Sequence, residues 1–170
     1  TCKVAPTNNQ ILVEALTNAT TYSMQIAAIS EKWPTGGAVS NAMSVIPAGA
    51  PALPKISKIT AGDRKVNVTF TAGVNNGSAI LGYKYAYTSD SGANWSSWTS
   101  SNWTDGDASM NIVGLTNGTP YSVKLRAINA VGEGVESVAS LPATPFGAPY
   151  APTITSIVRG NTTATIYFNA

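Results

Sequence analysis

One seven-residue stretch occurs twice in this chain: Leu16-Thr17-Asn18-Ala19-Thr20-Thr21-Tyr22 returns as Leu115-Thr116-Asn117-Gly118-Thr119-Pro120-Tyr121. A repeat of this kind restricts the architecture before any single residue is given a role, because each copy must build the same local structure. Tyr22, Met24, Ile26 and Ala28 follow the first copy at a period of two, and Tyr121, Val123, Leu125 and Ala127 follow the second. That alternation predicts half-buried antiparallel strands. The punctuation repeats as well, since Gly49-Ala50-Pro51-Ala52-Leu53-Pro54 is mirrored by Gly147-Ala148-Pro149-Tyr150-Ala151-Pro152 at an offset of 98 (147 − 49). Proline has no N–H to donate and a fixed φ, so these segments are expected to be extended, stiff boundaries rather than ladder strands.

The boundaries divide the chain into residues 1–48, 49–146 and 147–170. Between them the expected strands are 56–60, 65–71, 80–88, 94–103, 110–113, 121–129 and 135–140, with turns at Asn75-Asn76-Gly77-Ser78 and Asp105-Gly106-Asp107. A further short strand is expected from Ala38 to Val45. Val66, Val68 and Phe70 are expected to face inward, and Ala164, Ile166 and Phe168 match them at the same offset of 98. Tyr83, Tyr85 and Tyr87 share one face. No helical period occurs. Seven strands in about 100 residues predict an all-β, seven-stranded antiparallel Greek-key β-sandwich, repeated in tandem.

These residues resemble the fibronectin type III family. Leu115, the Asn117-Gly118 turn, Thr119 and Tyr121 match the family's approach to its sixth strand, and Val123, Leu125, Ala127, Asn129 and Gly132-Glu133-Gly134 continue the match. Gly82-Tyr83 and the proline-rich lead-in fit too. Phe70 stands where the family usually has a core tryptophan, and Phe168 repeats the departure. The resemblance implies one complete domain at 49–146, the C-terminal half of another at 1–48, and the first two strands of a third at 147–170. It also implies a tyrosine corner at Leu16 and Tyr22 and again at Leu115 and Tyr121, with each tyrosine hydroxyl bonded to nearby backbone. Two strands alone, as in 153–170, would be marginal in water. End-to-end completion by a second copy would lack the equivalents of 73–99, so the chain reads as an excerpt of a longer array.

Composition narrows the functional classes. Histidine is absent, only eight carboxylates exist, and the sole cysteine is Cys2, so neither an internal disulfide nor the usual general base is possible. No nucleophile–base or metal constellation is present, and no cofactor is expected. A net charge of +2 from scattered basic residues gives no nucleic-acid footprint. No stretch reaches the roughly 20 apolar residues of a membrane span. No basic-then-apolar leader opens the chain, which fits a removed signal or an interior piece.

Trp33, Trp95, Trp98 and Trp103 are the candidate contacts for a glycan or partner, because a flat aromatic beside amides and hydroxyls can stack on a sugar ring. Packing into the sandwich edge is the competing account, and Trp95 and Trp98 are badly spaced for one strand face. Asn18, Asn67, Asn76, Asn94, Asn102, Asn117 and Asn161 are Asn-X-Ser/Thr acceptors, although a chain this rich in Asn, Ser and Thr makes such triplets by chance. Asp105 and Asp107 lack the further oxygen ligands of a calcium loop and read as a turn. Lys124, Arg126 and the nearby Lys84 read as a solvated sheet face that resists aggregation. The Arg-Gly-Asp tripeptide is missing, and neither Asp63-Arg64 nor Arg159-Gly160-Asn161 replaces it. The leading expectation is a non-enzymatic stalk, fibre or adhesive spacer on a cell or virion surface or outside the cell. Its partners would be neighbouring domains of the same array, with lateral self-association open. A carbohydrate-binding accessory module using the tryptophans is the alternative, and an enzyme fits least.

Overall fold

Val66, Val68 and Phe70 alternate with Asn67 and Thr69, so a pleated strand here presents one wholly apolar face. The computed structural model, which describes residues 10–104 and 106–169, folds this segment as β4 (Lys65–Thr71), with those three residues at most 2% exposed. β4 pairs antiparallel with β3 (Lys55–Gly62) through a turn at Asp63-Arg64, and on its other side with β7 (Ser109–Val113). A second antiparallel sheet has the order β6 (Thr99–Ser100), β5 (Ile80–Thr88), β8 (Ser122–Asn129). The inner faces of the two sheets share one core, in which Val66, Val68, Phe70 and Ile112 meet Tyr83, Val123, Leu125 and Ala127. Phe70 and Tyr83 pack edge to face at 4.7 Å between ring centroids, with Phe70 filling the strand position where the resemblance leads one to expect a tryptophan. Each such side chain contributes about 1.5–3 kcal/mol by leaving water.

Two expected strands take another form. The segment from Asn94 to Trp103 is regular only at Thr99–Ser100, because Ser96 draws it across the sheet. Its hydroxyl accepts from Tyr87 N–H at 3.0 Å, and its own N–H donates to Tyr87 O at 2.8 Å. The segment 135–140 runs along β8 without being a regular strand. The N–H groups of Gly134, Ser137, Ser140 and Ala143 donate to the carbonyls of Ala127, Leu125, Val123 and Tyr121 at 2.7–2.9 Å. Three residues on this edge therefore span two on β8. Opposite Val123 and Leu125 the backbone carbonyls of that edge fall out of register, and serine hydroxyls replace them. Ser137 Oγ accepts from Leu125 N–H, and Ser140 Oγ from Val123 N–H, each at 3.0 Å.

The same ladder occurs earlier in the chain. Gly37 N–H donates to Ala28 O and Ser40 N–H to Ile26 O, while Ser40 Oγ accepts from Ile26 N–H at 3.1 Å. It continues into the short pair β1 (Tyr22–Met24) and β2 (Met43–Val45). Ala38–Val45 is thus mostly ladder, with a regular strand only at its end. The corner also recurs, since Thr116 N–H donates to Tyr121 Oη at 3.3 Å and Thr17 N–H to Tyr22 Oη at 2.9 Å. The tyrosine oxygen is the acceptor in both.

Outside 49–146 the apolar faces lie open. β9 (Thr153–Arg159) and β10 (Ala164–Asn169) form a hairpin exposed throughout, and Ile166 and Phe168, the counterparts of the buried Val68 and Phe70, are 53% and 60% exposed. Ile26 is likewise exposed. Alternation selects a face, but only an opposing sheet can bury it, and none covers these segments among the described residues. The accessible surface is 12113 Å², against roughly 7,900 Å² expected for a compact monomer of this mass.

Two substitutions test the hydroxyl acceptors. Ser137→Ala leaves the buried Leu125 N–H without a partner and is expected to lower stability by about 1–3 kcal/mol. Tyr121→Phe orphans the partly buried Thr116 N–H while keeping the ring, at a cost of about 1 kcal/mol. Shifts in the urea midpoint at constant slope measure both, and an unchanged midpoint for Ser137→Ala would show that the Leu125 N–H is satisfied in another way.

Candidate functional site

β8 alternates Val123, Leu125 and Ala127 inward with Lys124 and Arg126 outward, and Lys84 of β5 lies directly across from Arg126. Two cations opposite one another on one sheet face repel. Glu133 stands between them, accepting from Lys84 Nζ on one carboxylate oxygen and from Arg126 Nη1 at 2.8 Å on the other. Glu136 accepts from Lys124 Nζ at 2.9 Å and lies 3.8 Å from Arg126 Nη2. The Lys84 and Arg126 bonds hold the Glu133 carboxyl below its ordinary range. The basic face is therefore neutralised rather than simply solvated.

Trp95 and Trp98 cover the same cations. Lys124 Nζ lies 4.6 Å from the Trp95 ring centroid, and the Arg126 guanidinium carbon 3.8 Å from that of Trp98. Strand spacing argued against a shared face, but Asn94–Trp98 is not a strand, so both rings reach the outside of the sheet. Each cation–π contact is worth about 0.5–1 kcal/mol at an exposed site and up to about 2 when water is excluded. Exposed ion pairs contribute about 0.2–1 kcal/mol, so rings and carboxylates together fix the cations. Arg126 Nε is buried there without a hydrogen-bond partner among the described residues, which fits a guanidinium held by stacking.

The turn before Trp95 sets where it lands. Asp90 Oδ1 accepts from Thr88 Oγ1 at 2.6 Å and from Asn94 N–H at 2.9 Å, and Asp90 Oδ2 accepts from Asn94 Nδ2 at 2.7 Å. These bonds, with the Asn94 backbone first, lower the Asp90 pKa to about 2. Beside Trp95 opens a cleft of about 330 Å³ whose walls include Thr88, Ser89, Ser91, Ser122 and Ser140.

The other two tryptophans are elsewhere. Trp103 packs against the inward Tyr83 at 5.1 Å, donates Nε1–H to Asp107 O at 2.8 Å, and lines a cleft of about 550 Å³ with Phe70 and Tyr83. Trp33 is exposed in a separate tight turn closed on Ser30. The four candidates thus form one outward pair and two single residues.

The Asn-X-Ser/Thr positions divide by the state of their amides. Asn76 Nδ2 donates to Ala50 O at 2.7 Å, Asn94 Nδ2 is held by Asp90, and Asn117 bonds Asp63 Oδ1 and Arg64 N–H. Asn67 donates to Asn111 Oδ1 at 3.3 Å. Asn18, Asn102 and Asn161 are exposed. Asp107 accepts from Thr104 N–H and Oγ1, which lowers its pKa. Asp105 and Cys2 lie outside the described residues. Among the described residues no group of three or more His, Cys, Asp or Glu could hold a metal ion. No described helix is long and apolar enough to cross a membrane.

Residues 49–142 match the fibronectin type III domain model, and the chain belongs to that family. No curated protein sequence matches it. Among solved structures, domains d3–d4 of the extracellular region of rat CD45 are 18% identical with a TM-score of 0.52, covering 85% of this chain and 74% of that one. A crystal structure of titin domains is 17% identical with a TM-score of 0.50, covering 82% and 52%. Titin kinase with its flanking domains is 20% identical with a TM-score of 0.47, covering 58% of this chain and 18% of that one. At these identities the likeness is one of fold.

Asp90 generates a pH prediction. A carboxylate whose folded pKa lies at about 2 rather than 3.8 contributes stability that is complete above pH 3.8 and is lost as pH falls towards 2. Thermal midpoints followed across that window are expected to fall more steeply for the wild-type chain than for Asp90→Asn. Parallel curves would show that Asp90 is not selectively bonded in the folded state.

Proposed function

We propose that this fibronectin type III chain is a non-enzymatic segment of a tandem array, serving as a stalk, fibre or adhesive spacer on a cell or virion surface or outside the cell. Residues 49–146 are one complete unit, 1–48 the back half of a preceding unit, and 147–170 the first two strands of a following one. Its immediate partners are neighbouring units of the same array, and lateral association into fibres would extend the same architecture. The observation that carries this reading is the duplicated edge ladder, with Ser40 on Ile26 repeating Ser137 on Leu125. The recurrence of a serine hydroxyl in place of a backbone acceptor at matching positions supports a unit built twice. The mechanism is geometric. Stiff sandwiches on proline-bounded linkers set a distance, and stability accumulates from units and from the contacts between them. Small-angle scattering on the chain is expected to give a radius of gyration well above the roughly 15 Å of a compact domain of this length. A value near 15 Å would sink the array reading.

A second reading, sugar contact at the outer sheet face, draws on the hydroxyl-walled cleft beside Trp95. Against it, one face of each outward ring is already occupied by a cation. Trp95→Ala is expected to leave polysaccharide pull-down unchanged. Binding that disappears in this variant while the fold persists would favour the carbohydrate module instead.

A further inference from the structure

Two places in the chain join a corner to the linker behind it in the same way. Ala19 N–H donates to Pro47 O, and Gly118 N–H donates to Pro145 O, each at 2.9 Å. The corner asparagine packs against the linker glycine in both. A Cβ on Gly49 would stand 2.6 Å from Asn18 Nδ2, and one on Gly147 would stand 2.7 Å from Asn117 Nδ2. Corner and linker thus form one seat, made twice.

At the first seat a third element is docked. Gly49 N–H donates to Asn76 O at 2.9 Å, and Asn76 Nδ2 returns a bond to Ala50 O at 2.7 Å. Gly77 presses its Cα side into the seat with φ +87°, and a Cβ there would meet Pro47 O at 2.6 Å and Ala19 N at 2.9 Å. The buried Asn129 ties the arrangement to β8, donating Nδ2–H to Gly49 O at 2.8 Å and to Asn75 O at 3.1 Å. Both the close approach and the left-handed φ require glycine at 77. A plain surface turn would need only the second.

We infer that the Asn76-Gly77 turn is a latch between neighbouring units. Through Gly77 it docks on Ala19 and Pro47 of the preceding segment, and through Asn76 it holds Gly49 and Ala50 at the head of its own unit, which fixes the orientation of 49–146 relative to residues 10–48. Its partner surface is the backbone of Ala19 and Pro47, approached too closely for any Cβ. The seat at Gly118, Pro145 and Gly147 carries the same groups, and Ala148 stands where Ala50 does. The inference rests on reading residues 1–48 as part of a neighbouring unit.

Amide hydrogen exchange on the full chain tests it, with Gly77→Ala and Asn76→Asp as variants. Aspartate tolerates the left-handed φ of 52° at position 76 but lacks the donor to Ala50 O. In the wild-type chain the Ala19 and Gly49 amides are expected to be protected. In both variants they lose protection by about tenfold or more, while the amides of Phe70 and Gly118 keep theirs. Ala19 and Gly49 exchanging freely in the wild type over a protected Phe70, or unchanged in both variants, overturns the latch alone. An unprotected Phe70 and Leu125 in the wild type would instead count against the folded unit itself. If Gly77→Ala loses Phe70 protection and so unfolds the unit, Asn76→Asp decides by the same comparison.

Discussion

A buried strand is destabilised by any backbone N–H left unpaired at its edges, and β8 meets that constraint on both sides. β5 satisfies one edge in a regular antiparallel register. The other edge meets a segment that advances three residues for every two, so its carbonyls serve as acceptors at the ends, Gly132 for Asn129 and Ala143 for Tyr121, but not at Val123 and Leu125. Ser137 and Ser140 supply the missing oxygens from their side chains. Leaving the Leu125 N–H orphaned would cost about 1–3 kcal/mol, a large part of the stability of a small domain. The core depends on this, because Val123, Leu125 and Ala127 can fill the sandwich only if their backbone is satisfied.

β8 also organises everything that faces outward. Tyr121 precedes it and closes the corner, and Asn129 ends it and holds the linker. Lys124 and Arg126 occupy the positions that alternation leaves free, where they collect Glu133, Glu136, Trp95 and Trp98. One strand therefore couples the core, the outer cluster and the joint with the preceding segment. On the proposed spacer reading this coupling is what would let a unit transmit distance and direction.

The legibility of the sequence varied with the range of the physics. The alternation of Val66, Val68 and Phe70 located a strand and its buried face, because a period of two is a local property. The same alternation at Ile166 and Phe168 did not predict burial, since burial needs an opposing sheet. The lysine and arginine positions were readable as outward. Their neutralisation was not, because Glu133 and Glu136 approach along an irregular edge with no recognisable period. Trp95 and Trp98 were assigned to opposite faces on the assumption of a strand, and the Ser96 bonds to Tyr87 removed that assumption.

By itself the sequence determined the all-β class and the repeated corner, since these follow from periodicity and a motif written twice, and its resemblance pointed to the family. Only the tertiary structure decided which hydroxyls stand in for backbone acceptors, which cations the tryptophans cover, and where the Asn76-Gly77 turn docks. Those outcomes depend on groups well separated in sequence coming into contact, as Asn129 does with Gly49 at 2.8 Å. No local pattern encodes such a distance.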